Sequence, residues 1–380
     1  MTKKLIITSF CMMGILLSLT GCSFGKEKNV AIHPQKLADY LYSYDLDSYH
    51  KEEMPPADSP LFTMGCSSVR KGNFYGRNLD LGYCETPEFV IWLSASDDRF
   101  SSVGICANPG ITSNLSEMTE EDFLGMPNIT NDGINENGVI VSVNIVDATG
   151  VDKMTGTNDG KEKIHGSRVV RYLLDHAKSA EHAVQLLRDR DIVGGFTGYG
   201  LHWMIADKEN TYVVEIIDGK LVVSENKQFY MTNFYLNYGP KEEKQYLAET
   251  CFENLPLLNE CPIGVERWCI LRDHYDSIST IEDMREVLEL VKGTNMYRKD
   301  NNPAWYSECS GEKLTIHSKK DDFEKELMNQ MGWFETRDRK NPKGDWITWH
   351  SSIYDIEEKT IYIYPQEDYT TPYKVSILPE

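Results

Sequence analysis

The chain has 380 residues, 41% of them hydrophobic, and a formal net charge of −20 at neutral pH. A hydrophobic fraction of this size in a chain of this length permits a large packed core. The strong negative charge disfavours binding to nucleic acid, because a protein that holds phosphates by charge needs a basic surface.

The first residues have the pattern of an export signal. Two lysines precede an apolar run over residues 5–19, and small residues follow it. The sequence Leu-Thr-Gly-Cys at positions 19–22 resembles a bacterial lipobox, in which Cys22 becomes the lipid-modified first residue. We therefore predict a lipoprotein signal peptide over 1–21, an extracytoplasmic location and a membrane anchor on Cys22. An ordinary secretory signal is the less favoured alternative.

Residues 22–65 are predicted to form a separable tether and propeptide. Apolar residues recur there at the i, i+3, i+4, i+7 spacing of one amphipathic helix within residues 34–50. These residues are Leu37, Tyr40, Leu41 and Tyr44. The proline-rich stretch 55–60 ends any helix and predicts an extended approach to Cys66.

Downstream, stretches rich in β-branched and aromatic residues predict strands. They are Asn73–Leu79, Glu88–Ser94, Gly138–Val146, Leu201–Ala206, Thr211–Ile217, Lys220–Ser224, Gln228–Thr232 and Lys359–Tyr364. The Asp-Gly dipeptide at 218–219 separates two of these runs and predicts a tight hairpin turn. We therefore expect mainly antiparallel sheets.

Two regions carry a single apolar stripe at helical spacing. The first comprises Ser167–His176 continued by Ser179–Asp189, and the second is Thr280–Lys292. Thr280 with an acidic residue three positions later predicts an N-cap. Strands and helices in separate blocks, with helices apolar on one side, predict an α+β fold in which helices cover sheet faces.

The spacing of the cysteines and histidines indicates neither a metal site nor a disulfide-based fold. The sequence has nine cysteines without a Cys-x-x-Cys pair, and its nine histidines show no metal-ligand spacing. Export would permit disulfides, but a chain of this size does not need them to fold. We predict mostly buried, reduced cysteines, no metal and no cofactor.

Cys66 is the candidate nucleophile. Arg77 and Asp80 follow it closely, as a paired cation and carboxylate. If the Gly65–Cys66 bond is cut, Cys66 gains a free α-amine with a pKa of about 7.7–8.0, which can act as a general base at neutral pH. Taken alone, such a cysteine is more often a small buried hydrophobe and such a charge pair a structural ion pair.

From Cys66 to about Gln366 the sequence resembles the choloylglycine hydrolase family of N-terminal-nucleophile (Ntn) amidohydrolases. That family includes bile salt hydrolases, penicillin V acylases and linear-amide hydrolases. Five blocks occur in the family's order and approximate spacing. They are Cys66 with Gly76–Asp80, Asp132–Gly138 followed by Asn144, Leu201–Asp207, Tyr230–Asn233 and Val265–Asp273.

The resemblance implies a four-layer αββα sandwich over 66–380, in which helices flank two antiparallel sheets. It also implies roles for six residues. Cys66 is the nucleophile, Arg77 and Asp80 orient its amine and thiol, Asn144 and Asn233 are oxyanion donors, and Arg267 is the second catalytic arginine. Both arginines are expected to lower the thiol pKa.

Two departures from the family affect the expected activation and assembly. Here 65 residues precede Cys66, so a free cysteine requires an internal cut, as in relatives of the acid ceramidase and acyl-coenzyme A:aminopenicillanic acid acyltransferase types. The interval between Asn233 and Arg267 is shorter than in bile salt hydrolases, which use a loop there to assemble tetramers. The resemblance therefore does not extend to that tetramer.

The sequence thus predicts an exported, self-cleaving cysteine amidohydrolase that acts on a small N-acyl substrate with a linear, non-peptide amide. One alternative is an acyltransferase of the same fold, and another is a non-catalytic, lipid-anchored binding protein. Asn144 favours a bile salt over penicillin V as substrate, while N-acyl amino acids stay open. Cleavage would separate Cys22 from the catalytic fragment, which the leader helix would hold at the membrane or which would be released.

Overall fold

The computed structural model describes residues 32–51, 65–82, 87–107, 115–147, 154, 156, 160–194, 199–224, 229–237, 264–293 and 346–377. The predicted signal peptide, the lipidation site Cys22, the proline-rich stretch 55–60 and position 228 of one predicted strand lie outside these residues. Within them, no helix combines the length and apolarity needed to cross a membrane.

The larger sheet has nine strands in the order β1-β2-β5-β6-β7-β8-β11-β12-β13. Its strands are β1 (Gln35–Ala38), β2 (Leu41–Leu46), β5 (Glu88–Leu93), β6 (Ser102–Ala107), β7 (Thr130–Asn135), β8 (Ile140–Asp147), β11 (Tyr199–Ala206), β12 (Thr211–Ile217) and β13 (Lys220–Ser224). All neighbours pair antiparallel except β2 and β5. The predicted Asp-Gly hairpin is confirmed, since both turn residues have positive φ.

The second sheet has six strands in the order β14-β3-β4-β15-β16-β17, all antiparallel. They are β3 (Gly65–Lys71), β4 (Phe74–Gly82), β14 (Tyr230–Met231), β15 (Trp346–Asp355), β16 (Thr360–Pro365) and β17 (Tyr373–Ser376). A separate pair, β9 (Glu162–His165) and β10 (Arg190–Val193), is parallel.

Helices cover the outer faces of the two large sheets. They are α1 (Glu120–Gly125), α2 (Val169–His176), α3 (Ala180–Arg188), α4 (Val265–His274) and α5 (Ile281–Leu290). Thr280 caps α5 through a capping box with Asp283, as predicted. Helices α2 and α3 pack on the nine-stranded sheet, and α4 and α5 pack on the six-stranded sheet.

Alternation along single strands places the core on both faces of the larger sheet. On β11, Trp203 and Ile205 face the α2–α3 layer, while Met204 and Ala206 join the apolar cluster between the two sheets. The layers therefore follow the order helix, sheet, sheet, helix. The predicted α+β sandwich of two mainly antiparallel sheets is confirmed.

The amphipathic helix predicted within residues 34–50 is wrong. This segment forms β1 and β2, joined by a turn at which Tyr40 has a positive φ. Strand β2 pairs along its whole length with β5 and is covered on both faces, so Leu41 and Tyr44 are both buried although they lie three residues apart. Because both faces of this strand are buried, its apolar residues can occur three positions apart, which in the sequence has the spacing of a helical stripe.

Side-chain hydrogen bonds also connect residues 32–51 of the leader to the rest of the fold. The Tyr44 hydroxyl donates to the Phe123 carbonyl at 2.9 Å, and the Tyr49 hydroxyl donates to Asp175 at 2.8 Å. Both tyrosines are buried. Residues 32–51 are therefore an edge of the larger sheet.

Three cysteines lie within the described residues, namely Cys66, Cys106 and Cys269. All three are buried and reduced, as predicted. Cys84, Cys251, Cys261 and Cys309 lie outside the described residues.

We expect Leu41→Ala to lower the free energy of unfolding by about 2–5 kcal/mol, because it empties a fully buried core position. Urea unfolding measures the change. The control is Asp45→Ala at the one exposed position of the same strand, which should change stability by less than about 0.5 kcal/mol. Equal, small effects of both substitutions would show that the leader does not belong to the core.

Candidate active site

The fold brings all six predicted site residues into one buried cluster. Cys66 lies on β3, Arg77 and Asp80 on the adjacent β4, and Asn144 on β8 of the facing sheet. Asn233 lies two residues after β14, and Arg267 lies in the first turn of α4. None of the six is more than 2% exposed.

Cys66 is contacted at its nitrogen, its carbonyl and its sulfur. The backbone N–H donates to Asn233 Oδ1 at 2.9 Å, and the carbonyl oxygen accepts from Arg267 Nη1. The thiol sulfur lies 3.9 Å from Arg77 Nη2. These contacts hold the group that would become a free amine and the thiol beside it in a fixed geometry.

Arg77 and Asp80 do not pair with each other, contrary to the prediction. Arg77 Nε lies 3.5 Å from Asp132 Oδ1, whereas Asp80 Oδ2 lies 3.5 Å from Arg267 Nη1. Asp80 also accepts from the Thr348 hydroxyl at 2.6 Å. Residues three apart on a strand point to opposite faces, so each charge finds its partner elsewhere.

Arg267 joins four parts of the site. Besides the Cys66 carbonyl and Asp80, its guanidinium donates to Asn233 Oδ1 and to the Ser67 hydroxyl, the latter at 3.2 Å. Helix α4 begins at Val265, directly after Gly264, whose φ of +83° favours glycine. These contacts place Arg267 beside Cys66, where the sequence predicted a second arginine.

The side-chain amides of Asn144 and Asn233 are held in fixed orientations. Asn144 Nδ2 donates to the Thr232 carbonyl at 3.1 Å, and Asn233 Nδ2 donates to the Ile145 carbonyl at 2.8 Å. The Ser68 hydroxyl donates to Asn144 Oδ1 at 3.3 Å, which fixes the amide's direction. Each NH2 group carries two hydrogens, so one per residue is left for a reacting oxygen.

The electrostatics differ from the expectation for the thiol. Burial raises the pKa of the Cys66 thiol, and the lowering by Arg77 and Arg267 does not outweigh it in the uncut chain. Burial likewise raises the pKa of Asp80 to about 7, against the opposing effect of Arg267. Asp80 can therefore exchange a proton near neutral pH.

Two buried polar networks behind the site are not apparent from the sequence. In the first, Asp132 contacts His350 and Arg77, and His350 also contacts Glu88. In the second, His202 Nε2 lies 2.9 Å from the Thr232 carbonyl, the same oxygen that accepts from Asn144. Their members are far apart in sequence, so no local spacing could reveal them.

A carboxylate fixes the segment after Asn233. Glu215 is fully buried and accepts from the backbone N–H groups of Leu236 and Asn237 at 2.7 and 2.9 Å. It also lies 3.4 Å from His202. The oxyanion candidate therefore sits on a segment held from both sides. In the described part of the chain, no group of three His, Cys, Asp or Glu residues could hold a metal ion.

Comparison with known proteins supports this fold. A family model described as acyl-coenzyme A:6-aminopenicillanic acid acyl-transferase matches residues 69–257. Two structures of variants of the conjugated bile acid hydrolase from Clostridium perfringens are 16% and 14% identical to the chain. Both comparisons cover 82% of this chain and 92% of the other, with TM-scores of 0.53 and 0.51. No curated protein sequence matches the chain.

The matching family model and the similar structures support the resemblance of the sequence to the choloylglycine hydrolase family of Ntn hydrolases. The solved structures share its fold. The cluster around Cys66 contains the six residues to which the resemblance assigned roles.

We expect Gly264→Ala to reduce any activity of this site at least tenfold. A Cβ there would lie 2.8 Å from Arg267 Nη2, 2.9 Å from Thr232 Oγ1 and 3.1 Å from the Asn233 backbone nitrogen, so the Arg267 and Thr232 side chains must move. The control is Gly160→Ala, with a similar φ of +87° but nothing within 4 Å. It should show only the backbone cost of about 1–2 kcal/mol. Equal activities of the two variants would contradict this role for Gly264.

Proposed function

We propose that the protein is an exported, lipid-anchored cysteine amidohydrolase. It cuts itself between Gly65 and Cys66 and then hydrolyses a linear, non-peptide amide of a small N-acyl substrate through an acyl-thioester on Cys66. The observation that supports this most strongly is the set of contacts on Cys66. Its nitrogen, carbonyl and thiol each contact a different predicted site residue.

Self-cleavage converts one peptide bond into a thioester and then into two chain ends. The Cys66 thiol adds to the Gly65 carbonyl carbon, its proton passes to the Cys66 nitrogen, and the carbon–nitrogen bond breaks. Asp80 can carry this proton, because its pKa is about 7 and its backbone contacts the sulfur. Water then hydrolyses the thioester, leaving a carboxylate on Gly65 and a free amine on Cys66.

Turnover uses the amine that cleavage creates. The amine accepts the thiol proton, the thiolate attacks the substrate carbonyl, and the leaving amine receives the proton back. The unused N–H groups of Asn144 and Asn233 stabilise the oxyanion, a contribution of about 2.7–4 kcal/mol for one such donor. Water hydrolyses the acyl-thioester and restores the thiol.

Acyl transfer is the second candidate function. The matching family model is described as an acyl-transferase, and the same acyl-thioester can react with an amine in place of water. Hydroxylamine competition separates the two. An acyltransferase gives mainly the hydroxamate at low hydroxylamine concentration, whereas a hydrolase gives mainly the free acid. A panel of conjugated bile salts, penicillin V and N-acyl amino acids identifies the acyl group.

The anchor and the nucleophile lie on opposite sides of the proposed cut. Cys22 would carry the lipid, and strand β2 would keep the leader paired with β5 after cleavage. The buried Tyr44 and Tyr49 contacts favour a fragment pair that stays together. This gives the proposed location at the membrane a physical basis without the leader helix that the sequence predicted.

We expect purified wild-type protein to yield a fragment that begins at Cys66, detected by intact-mass analysis. Cys66→Ala should leave the chain uncut, because it removes the attacking sulfur. Cys106→Ala, a buried cysteine outside the cluster, is the control and should be cut like wild type. An active wild-type protein without such a fragment, or a cut Cys66→Ala chain, would overturn the mechanism.

After cleavage, the leader fragment should copurify with the catalytic fragment and fractionate with membranes in the absence of detergent. Strand pairing and buried tyrosines hold it without a covalent link. Cys22→Ala should move both fragments together into the soluble fraction. Recovery of the catalytic fragment alone in the medium of wild-type cells would contradict this arrangement.

A further inference from the structure

A histidine on β15 lies between two buried carboxylates, one from each of two strands in the facing sheet. His350 Nδ1 is 2.8 Å from Glu88 Oε1, and its Nε2 is 3.0 Å from Asp132 Oδ1. All three residues are at most 1% exposed. A ring with a carboxylate oxygen at each nitrogen carries a hydrogen on both, which makes it an imidazolium. Burial opposes this charge, but Asp132 and Glu88 outweigh it and raise the pKa of His350 to about 9.

Asp132 is the centre of this network. It accepts from the Ser352 hydroxyl at 2.7 Å and the Tyr354 hydroxyl at 2.6 Å, and it lies 3.5 Å from Arg77 Nε. Although burial disfavours its charge, Arg77 and His350 hold the pKa of Asp132 well below its usual range. The carboxylate is therefore an anion fixed between two cations.

Arg77 connects the network to the nucleophile. Its Nη2 donates to the Val143 carbonyl at 2.8 Å and lies 3.9 Å from the Cys66 sulfur. The charges alternate from Glu88 through His350, Asp132 and Arg77 to the thiol. Glu88 and Asp132 belong to the nine-stranded sheet, and Arg77 and His350 to the six-stranded sheet, so the network also joins the two sheets.

We propose that His350 is a positioning residue of the active site, which as an imidazolium fixes Asp132 and thereby holds the Arg77 guanidinium against the Cys66 thiol. The proposal rests on the proposed function insofar as the thiol is the nucleophile. Four buried groups of alternating sign balance one another, and removing one leaves an uncompensated charge. Loss of the ring's charge would leave the carboxylates of Glu88 and Asp132 without the cation that lies between them.

The charge pattern predicts shifts of opposite sign for two variants. His350→Gln removes a positive charge, so the pKa of the thiol should rise. The fraction of thiolate at pH 7 should fall at least about threefold. Glu88→Gln removes a negative charge, so the thiol pKa should fall. The double variant restores the balance and should return the thiol titration towards wild type. Misfolding alone would not produce this reversal of sign.

The experiment is a pH titration of the Cys66 thiol by NMR of protein labelled with 13C at the cysteine β-carbon, with Cys66→Ala identifying the signal. Other charged groups facing Cys66 are Asp80 and Arg267, which stay unchanged in every variant. Ser351→Ala is the control on the other face of β15, where that serine bonds Asn78. It should leave the titration unmoved.

Turnover adds a second measurement. In His350→Gln, kcat should fall about tenfold with KM within about twofold of wild type, because the ring is fully buried and both its nitrogens contact carboxylates. The double variant should recover most of kcat. An unchanged titration in both His350→Gln and Glu88→Gln, or shifts of the same sign in the two, would overturn the proposal.

The titration is also informative if the proposed function fails. Wild-type protein that neither cuts itself nor hydrolyses an amide would refute the amidase, while opposite thiol shifts in the uncut chain would still establish the positioning role. If His350→Gln does not fold, the thiol titration of Glu88→Gln, which retains the histidine ring, tests the proposal by itself. A lowered thiol pKa in that variant supports the proposal, and an unchanged or raised one overturns it.

Discussion

The buried guanidinium of Arg267 is the interaction on which the site depends most. One cation contacts the carbonyl of Cys66, the amide oxygen of Asn233 and the carboxylate of Asp80. A charge this deeply buried is stable only with several partners, and its partners are in turn fixed by it. Helix α4 is therefore part of the site as well as a cover for the six-stranded sheet.

The second constraint is the packing of the two sheets. Cys66, Arg77 and Asp80 come from one sheet and Asn144 from the other, so Asn144 reaches the proposed nucleophile only because the two sheets face each other. The Ser68 hydroxyl crosses this interface to Ser142 at 2.9 Å. Polar contacts of this kind, within an apolar layer, fix the relative positions of the sheets. The packing of the core between the sheets therefore determines the relative positions of the site residues.

Much of the architecture could be predicted from the sequence, for identifiable reasons. Strands β12 and β13 were predicted with their observed bounds because an Asp-Gly turn separates two apolar runs, and α5 because Thr280 marks its start. Strand β15 was missed because it buries Thr348, His350, Ser351 and Ser352, whose partners come from distant strands. The order of motifs predicted which residues meet at Cys66. It could not predict that Arg77 and Asp80 pair with different partners, since that depends on which face of β4 each side chain takes.

The proposed mechanism requires a free amine on Cys66 for turnover. Its direct test follows amide hydrolysis and the fraction of cut chains together while freshly purified precursor matures. We expect an initial rate proportional to the cut fraction, which extrapolates to zero when no chain is cut. Hydrolysis by uncut chains at the rate of the mature protein would contradict the mechanism.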